Sequence, residues 1–265
     1  MQSIKEKIKL YNLFPKKNFS QNFIYDDTIL NKIANAVEDI TNYNVIEIGP
    51  GPGTLTEKIF AKNPKTFTVI EIDERFNQIL HEISDKINIL MHDFLTIDLK
   101  TIPFENSVVY SNLPYGIASQ IMFRLFDVLP EKMVLLFQKE MADRIIAKVG
   151  TKDYGKITVM SSLFYDIKKV TDIKPGAFYP VPGVTSTLLR FDKKNNILNI
   201  DFQKFNKLLT ASFGMRRKQL KNNIKSYIIS PDVLFKKVGL NFDVRAEDVS
   251  LDQYMAIYTE LQGVL

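Results

Sequence analysis

The sequence predicts an α/β fold: a seven-stranded, mostly parallel sheet of the doubly wound type, followed by a small helical domain. Three observations carry this. Short apolar, β-branched runs alternate with helix-length segments from about residue 31 to residue 191. A glycine-rich turn joins one of those runs directly to a helical pattern. Beyond Phe191 the strand pattern stops, and only helical periodicity remains.

Taken in order, the first helix is expected over 27–37, where Leu30, Ile33, Ala34 and Val37 share one face and Asp26 or Asp27 supplies the cap. Strands are expected at 44–48, 66–72, 87–91, 108–111, 133–137, 168–173 and 186–191, with crossover helices between the earlier ones. Met133-Val134-Leu135-Leu136-Phe137 is apolar throughout, as a parallel strand covered on both faces requires. The polar stretch Asp192-Lys193-Lys194-Asn195-Asn196 marks a boundary, giving domains 1–192 and 193–265. In the second domain helices are expected over 201–213, 216–229, 231–238 and 251–261.

Composition narrows the chemistry. The 265 residues include no cysteine, which excludes disulfides, thiolate metal sites and cysteine nucleophiles. The two histidines, His81 and His92, lack partners at metal-ligand spacing, so no metal is expected. No apolar stretch is long enough to span a bilayer, and the first nine residues alternate charge with Ile, unlike a signal peptide. A cytoplasmic, monomeric protein is expected. The net charge of +5 and pI near 9.1 hint at a polyanionic partner.

Val45-Ile46-Glu47-Ile48 runs into Gly49-Pro50-Gly51-Pro52-Gly53, and a helix follows from Thr54. Strand, glycine turn and helix start form a nucleoside-binding corner. The next strand ends in Glu71-Ile72-Asp73, where a carboxylate is placed to accept ribose hydroxyls. A dinucleotide site wants Gly-x-Gly-x-x-Gly so that a helix N-terminus meets pyrophosphate. Here the spacing is Gly-x-Gly-x-Gly, with no lysine for phosphate. That shorter pattern resembles the first motif of the class I methyltransferases, whose cofactor, S-adenosylmethionine, carries no phosphate. A glycine-rich loop without a ligand is the bland alternative. After the third strand, Asp93 is positioned to accept from an adenine amino group with Phe94 against the ring, although an Asp there also serves simply as a turn former.

Ser111-Asn112-Leu113-Pro114-Tyr115 follows the fourth strand and so lies at the same sheet edge. Methylating an exocyclic amine demands acceptors for its hydrogens, because the nitrogen lone pair is delocalised into the base. The Asn112 side-chain oxygen and the Leu113 carbonyl supply two, Pro114 holds Leu113 extended, and Tyr115 offers a stacking face. The same four residues could instead be a strand-ending turn.

Nearly all of the chain, from about Phe14 to Asn223, resembles the small-subunit (16S) ribosomal RNA adenine N6,N6-dimethyltransferases. The resemblance is carried by Lys17-Asn18-Phe19-Ser20-Gln21-Asn22-Phe23-Ile24, Glu47 to Thr56, Val69 to Asp73 and Asn112 to Tyr115. It continues through Gln138-Lys139-Glu140, Tyr154-Gly155-Lys156-Ile157-Thr158-Val159, Phe178-Tyr179-Pro180-Val181-Pro182 and Phe213-Gly214-Met215-Arg216-Arg217-Lys218-Gln219-Leu220. It implies a Rossmann-like class I methyltransferase domain. The implied reaction is S-adenosylmethionine-dependent dimethylation of adjacent adenines near the 3′ end of small-subunit rRNA, during ribosome biogenesis. Gln21, Asn22, Ile24, Gly49, Gly51, Gly53, Glu71, Ile72, Asp93, Phe94 and Asn112 would surround the cofactor, and Phe178 would close on the target base opposite Tyr115. Ser20, Ile24 and Gly116 stand where the family usually has Gly, Leu and Asn.

Between residues 204 and 225 lie seven basic residues and no acid: Lys204, Lys207, Arg216, Arg217, Lys218, Lys221 and Lys225. Such a run is either a solvated helix face or a phosphate-binding surface, and beside a base-modifying site the second is expected. Lys5, Lys7, Lys9, Lys16 and Lys17 would extend it. The expected partner is small-subunit rRNA or the immature small subunit, with no membrane involved. The alternatives are a large-subunit rRNA methyltransferase conferring antibiotic resistance, a DNA adenine methyltransferase, and an assembly factor that acts mainly by binding.

Overall fold

The computed structural model describes residues 6, 9–11, 13–14, 21–195, 200–228 and 230–264. Of the expected site residues, Lys5, Lys7, Lys16, Lys17 and Ser20 lie outside these. In chain order the main elements are β1 (Phe23–Ile24), α1 (Asp27–Ala34), β2 (Asn44–Ile48), α2 (Thr54–Phe60), β3 (Thr66–Glu71), α3 (Asn77–His81), β4 (Asn88–Met91), β5 (Ser107–Asn112), α4 (Ala118–Val128) and β6 (Lys132–Gln138). These are followed by α5 (Lys139–Ile145), α6 (Lys156–Phe164), β7 (Tyr165–Ile173), β8 (Phe178–Tyr179), β9 (Ser186–Lys193), α7 (Phe202–Ser212), α8 (Leu220–Asn223), α9 (Pro231–Lys237) and α10 (Leu251–Leu261).

Two compact units result. The first comprises Met1–Ala142 and Ile167–Lys193, the second Asp143–Asp166 and Lys194–Leu265. The sequence pattern predicts one crossing between domains, after residue 192, whereas the chain crosses three times. The difference is the stretch 143–166, which holds the last three residues of α5, all of α6 and the first two of β7. Almost every residue of α6 is buried, so it has no amphipathic stripe to announce which neighbours it packs against.

In the first unit the seven-stranded sheet runs β4-β3-β2-β5-β6-β9-β7. The first five of these are parallel to their neighbours, and β9 is antiparallel to β6. The strand order reverses between β2 and β5, so their carboxyl ends flank the crevice where ligands bind in such sheets. Val45, Ile46, Val108, Val109 and Met133 to Phe137 are wholly inaccessible, as expected for strands covered on both faces. Helix α1 begins where Asp26 accepts from the Ile29 N–H, which settles the cap between the two candidates. A separate ladder pairs Phe23 with Tyr179 and Ile24 with Phe178. Two residues per strand are too few for periodicity to reveal.

In the second unit, aromatic rings form the centre. Phe205 and Tyr258 meet edge to face at 5.5 Å, and Phe213 lies 6.3 Å from Tyr154 and 5.8 Å from Tyr254. The Tyr154 and Tyr254 hydroxyls donate to the carbonyls of Val249 and Ala246. The continuous helix expected over 216–229 is a correction: only α8 and a 3₁₀ turn at Lys225–Tyr227 form. Like charges at Arg217, Lys221 and Lys225 recur every fourth residue, which opposes a helix. The Gln219–Arg245 bridge and the Leu220 N–H bond to the Val244 carbonyl hold Gln219 extended and so break the helix before α8.

Candidate active site

A cleft of about 340 Å³ opens at the carboxyl ends of β2, β3, β4 and β5. It is lined by Gln21, Asn22, Gly49, Gly51, Glu71, Ile72, Asp93, Phe94, Asn112, Leu113, Pro114 and Tyr115, all expected from the sequence. Three expected residues do not line it. Gly53 caps α2 in a left-handed conformation, with a Cβ there falling 2.5 Å from Ile83 Cδ1. Ile24 and Phe178 face each other across the small ladder, both buried in the hydrophobic core. Alternation along β8 turns Phe178 inward and leaves Tyr179 half-buried. Phe178 is therefore not exposed to a base opposite Tyr115.

The glycine turn owes its composition to two different demands. Gly51 has a φ of +55°, and a Cβ there would lie 2.8 Å from the Phe23 ring. Its need for glycine thus comes from the segment packed over the turn. Gly49 has a φ of +69°, and a Cβ added there would meet nothing within 4 Å, so its open side borders the cleft.

Glu71 closes the far side of the turn. Its Oε2 accepts from the Gly51 N–H at 2.9 Å, and its Oε1 from the N–H groups of Ile72 and Asp73. A carboxylate has about four acceptor positions, so roughly one remains toward the cleft. Burial raises the Glu71 pKa against these bonds. Beneath the turn, Glu47 is pushed up to about 8, first by burial and then by the charge of Glu71, with the Thr56 hydroxyl opposing. Glu47 Oε2 and Thr56 Oγ1 each lack a hydrogen-bond partner of good geometry among the described residues. Burial likewise favours the neutral form of Asp73, but bonds from Arg75 and Gln21 prevail and hold it at about 2. The Gln21 bond, 3.1 Å long, ties the segment over the cleft to the end of β3.

Beyond the neighbouring strand β4, Asp93 Oδ1 accepts from the Leu95 N–H at 2.8 Å, leaving Oδ2. The turn is braced by Arg124, absent from the sequence-based candidates. Its guanidinium donates to the carbonyls of Leu95 and Ile97 and lies 5.8 Å from the Phe94 ring centre. An arginine in an amphipathic helix reads as a surface charge, and only the fold brings it under this turn.

The loop after β5 is fixed from three sides. Ser111 Oγ donates to the Ile48 carbonyl at 2.7 Å, joining the ends of β5 and β2. Asn112 Nδ2 donates to the Asn22 carbonyl at 2.7 Å. Because a carbonyl only accepts, this bond sets which end of the amide is nitrogen. Asn112 Oδ1 accepts from no group among the described residues. The Tyr115 hydroxyl meets Ser186 Oγ at 2.7 Å, and burial raises its pKa.

The basic residues lie in the second unit. Lys207, Arg216, Arg217, Lys218 and Lys225 are exposed, and Lys204 and Lys221 partly so. At least four are engaged locally, Lys207 among them with its ammonium 5.4 Å from the Tyr227 ring centre. Lys204 donates to the Gln262 carbonyl, Arg216 to the carbonyls of Lys152 and Tyr154, and Lys221 sits 3.3 Å from the Phe242 ring centre. Arg217 and Lys218 border a polar concavity of mixed charge, lined also by Asn222, Arg245, Asp243 and Asp248. Among the described residues, no group of three or more His, Asp or Glu could hold a metal, and no helix is long and apolar enough to cross a membrane.

Residues 13–263 match the family model described as ribosomal RNA adenine dimethylase. A protein from Mycoplasma mobile, named ribosomal RNA small subunit methyltransferase A, is 38% identical over 93% of this chain and 98% of its own length. One of the same name from Borreliella burgdorferi is 37% identical over 98% and 94%. Among solved structures, a dimethyladenosine transferase from Plasmodium falciparum superposes with a TM-score of 0.78 at 24% identity, covering 91% of this chain and 98% of that one. The 23S rRNA methyltransferase ErmE gives 0.69 at 23%, over 91% and 99%. At these identities the two structures speak for the fold alone.

Proposed function

The chain belongs to the ribosomal RNA adenine dimethylase family, and from that premise we propose that it dimethylates the N6 amino groups of adjacent adenines near the 3′ end of small-subunit rRNA. S-adenosylmethionine is the proposed donor. Bound, it supplies a methyl on a sulfonium sulfur, and the C–S electron pair returns to sulfur as N6 takes the methyl. The cleft volume suits one such molecule. Its open glycine at 49, the remaining acceptor position of Glu71 and the exposed apolar side chain of Ile72 suit an adenosine moiety. Glu71 and Asp93 give the cleft acidic groups to complement a cation.

One observation carries the chemistry: the Asn112 amide is held by its nitrogen, which leaves Oδ1 as an unused acceptor at the cleft. Oδ1 and the Leu113 carbonyl accept the two N6 hydrogens in the first transfer, and one of them the single hydrogen left in the second, favouring pyramidal nitrogen and stabilising the positive charge that develops there. Tyr115 stacks on the extruded base. No general base is required before transfer, since the lone pair is the nucleophile; the proton lost afterwards passes to water. Alignment and charge stabilisation carry the rate. Gln21 and Asn22 cover the donor, and Arg124 holds Phe94 against it. The basic residues of the second unit, which we take with its segment 143–166 as the RNA-binding domain, bind phosphates. The enzyme is proposed to act as a cytoplasmic monomer.

The test uses purified protein, labelled S-adenosylmethionine and unmethylated small subunits, with nucleosides identified by mass spectrometry and large subunits and duplex DNA in parallel. Dimethyladenosine from small subunits alone is expected. Label in large-subunit RNA would reassign the substrate. Intact cofactor binding with no transfer to any substrate would leave a binding role in subunit assembly.

A further inference from the structure

We propose that Ser186 is a positioning residue for the reaction: it anchors the Tyr115 ring so that its face is already presented when the target adenine leaves the RNA stack. The inference rests on the function proposed above. Ser186 is fully buried at the start of β9, register-paired with Gln138, and the Lys139 N–H bond to the Thr185 carbonyl pins the backbone just before it. Its hydroxyl is therefore a fixed point. Tyr115 is joined to the loop after β5 at its backbone and to β9 at its phenol oxygen, 2.7 Å from Ser186 Oγ. A tyrosine side chain turns about two bonds; its phenol oxygen lies on the axis of the second, so the tether holds the first and fixes the direction in which the ring projects before the base arrives. The rest of the ring stays at the cleft.

This arrangement links two segments far apart in sequence, the reaction loop and the strand that follows the Pro180–Pro182 loop. Its kinetic consequence is specific. Phosphate contacts dominate RNA affinity, whereas the fraction of bound complexes with the base extruded limits turnover. Loss of the tether lowers that fraction without weakening either association.

The experiment compares wild type, Ser186→Ala, Tyr115→Phe and the double variant, by methyl transfer to small subunits and by NMR of ¹³C-labelled tyrosine rings. One neutral hydrogen bond is at stake, so each single variant is expected to lose about three- to tenfold in kcat. KM for RNA and Kd for S-adenosylmethionine stay unchanged, and the double variant is no worse than either single one. The double variant also guards against misfolding, since it leaves no unpaired hydroxyl. In Ser186→Ala the Tyr115 ring signal shifts and its motion increases. Unchanged kcat, multiplying losses in the double variant, weakened cofactor binding, or an unaltered Tyr115 signal would each overturn the proposal. Wild type inactive on every substrate would refute the proposed function instead, and the ring signal would still judge the tether.

Discussion

Asn112 and Glu47 show how much a single side chain's partner decides. Both lie at or near the end of a buried strand, but only Asn112 stands in a motif whose residue types point to chemistry. Its amide is oriented by the Asn22 carbonyl, a residue ninety positions away. In the proposed mechanism Asn112→Ala removes an acceptor aimed at developing charge, and a fall in kcat of about 10²–10³ is expected by single-turnover assay. A variant retaining more than about a third of wild-type activity would exclude that role. Glu47 has the opposite character, an acid with too little bonding to offset burial. Its folded pKa of about 8 lies above the ordinary 4.5, so whatever stability it contributes is complete below about pH 4.5 and is lost as pH rises through about 8. Glu47→Gln removes that titration. Thermal unfolding from about pH 4 to about pH 9 should show the variant gaining on wild type across this window and levelling off beyond it. Parallel curves would mean that the carboxyl is ionised throughout.

At the level of elements, the strand–turn–helix of β2 and α2 carries three glycines with distinct duties. Gly53→Ala places a Cβ 2.5 Å from Ile83 Cδ1 at a φ of +83°. The conformation alone costs about 1–2 kcal/mol, and the contact adds to it. Chemical denaturation should show a loss of about 2 kcal/mol or more. Gly49→Ala meets no atom within 4 Å, so it bears only the conformational cost but narrows the cleft. Calorimetry should therefore find its larger effect in S-adenosylmethionine affinity. Were the two variants equally destabilised and equally able to bind, the division of labour assigned to the turn would fail. The element boundaries themselves are largely legible, since β2 and α10 begin and end where periodicity places them. The helix expected over 216–229 is not, because hydrophobic spacing says nothing of the bonds from Gln219 and Leu220 to residues 244 and 245.

For the whole molecule, the relevant quantity is charge rather than contact. With seven basic residues and no acid between 204 and 225, RNA affinity should fall steeply with salt. Each single-strand phosphate contact contributes about 0.7 to the slope of log K against log salt, so Arg217→Ala/Lys218→Ala should reduce the slope by about 1.4. Filter binding across a salt series would test this; an unchanged slope would remove these two residues from the interface. Lys204, Lys207, Arg216 and Lys221 are partly committed to neighbours within their own unit. A count of charges therefore overstates the available contacts.

The sequence alone determined the class of fold, the sheet edge that carries the candidate cleft and most of the residues that line it. Alternation, glycine spacing and the residue types after each strand are local properties, written in consecutive residues. Tertiary structure decided everything that depends on distant partners: the Asn112 amide orientation, the Ser186 tether, the Arg124 brace and the burial of Phe178. It also decided the membership of 143–166 in the second unit. Hydrogen bonds and close packing act over a few ångströms in space and are indifferent to separation along the chain, so no periodicity announces them.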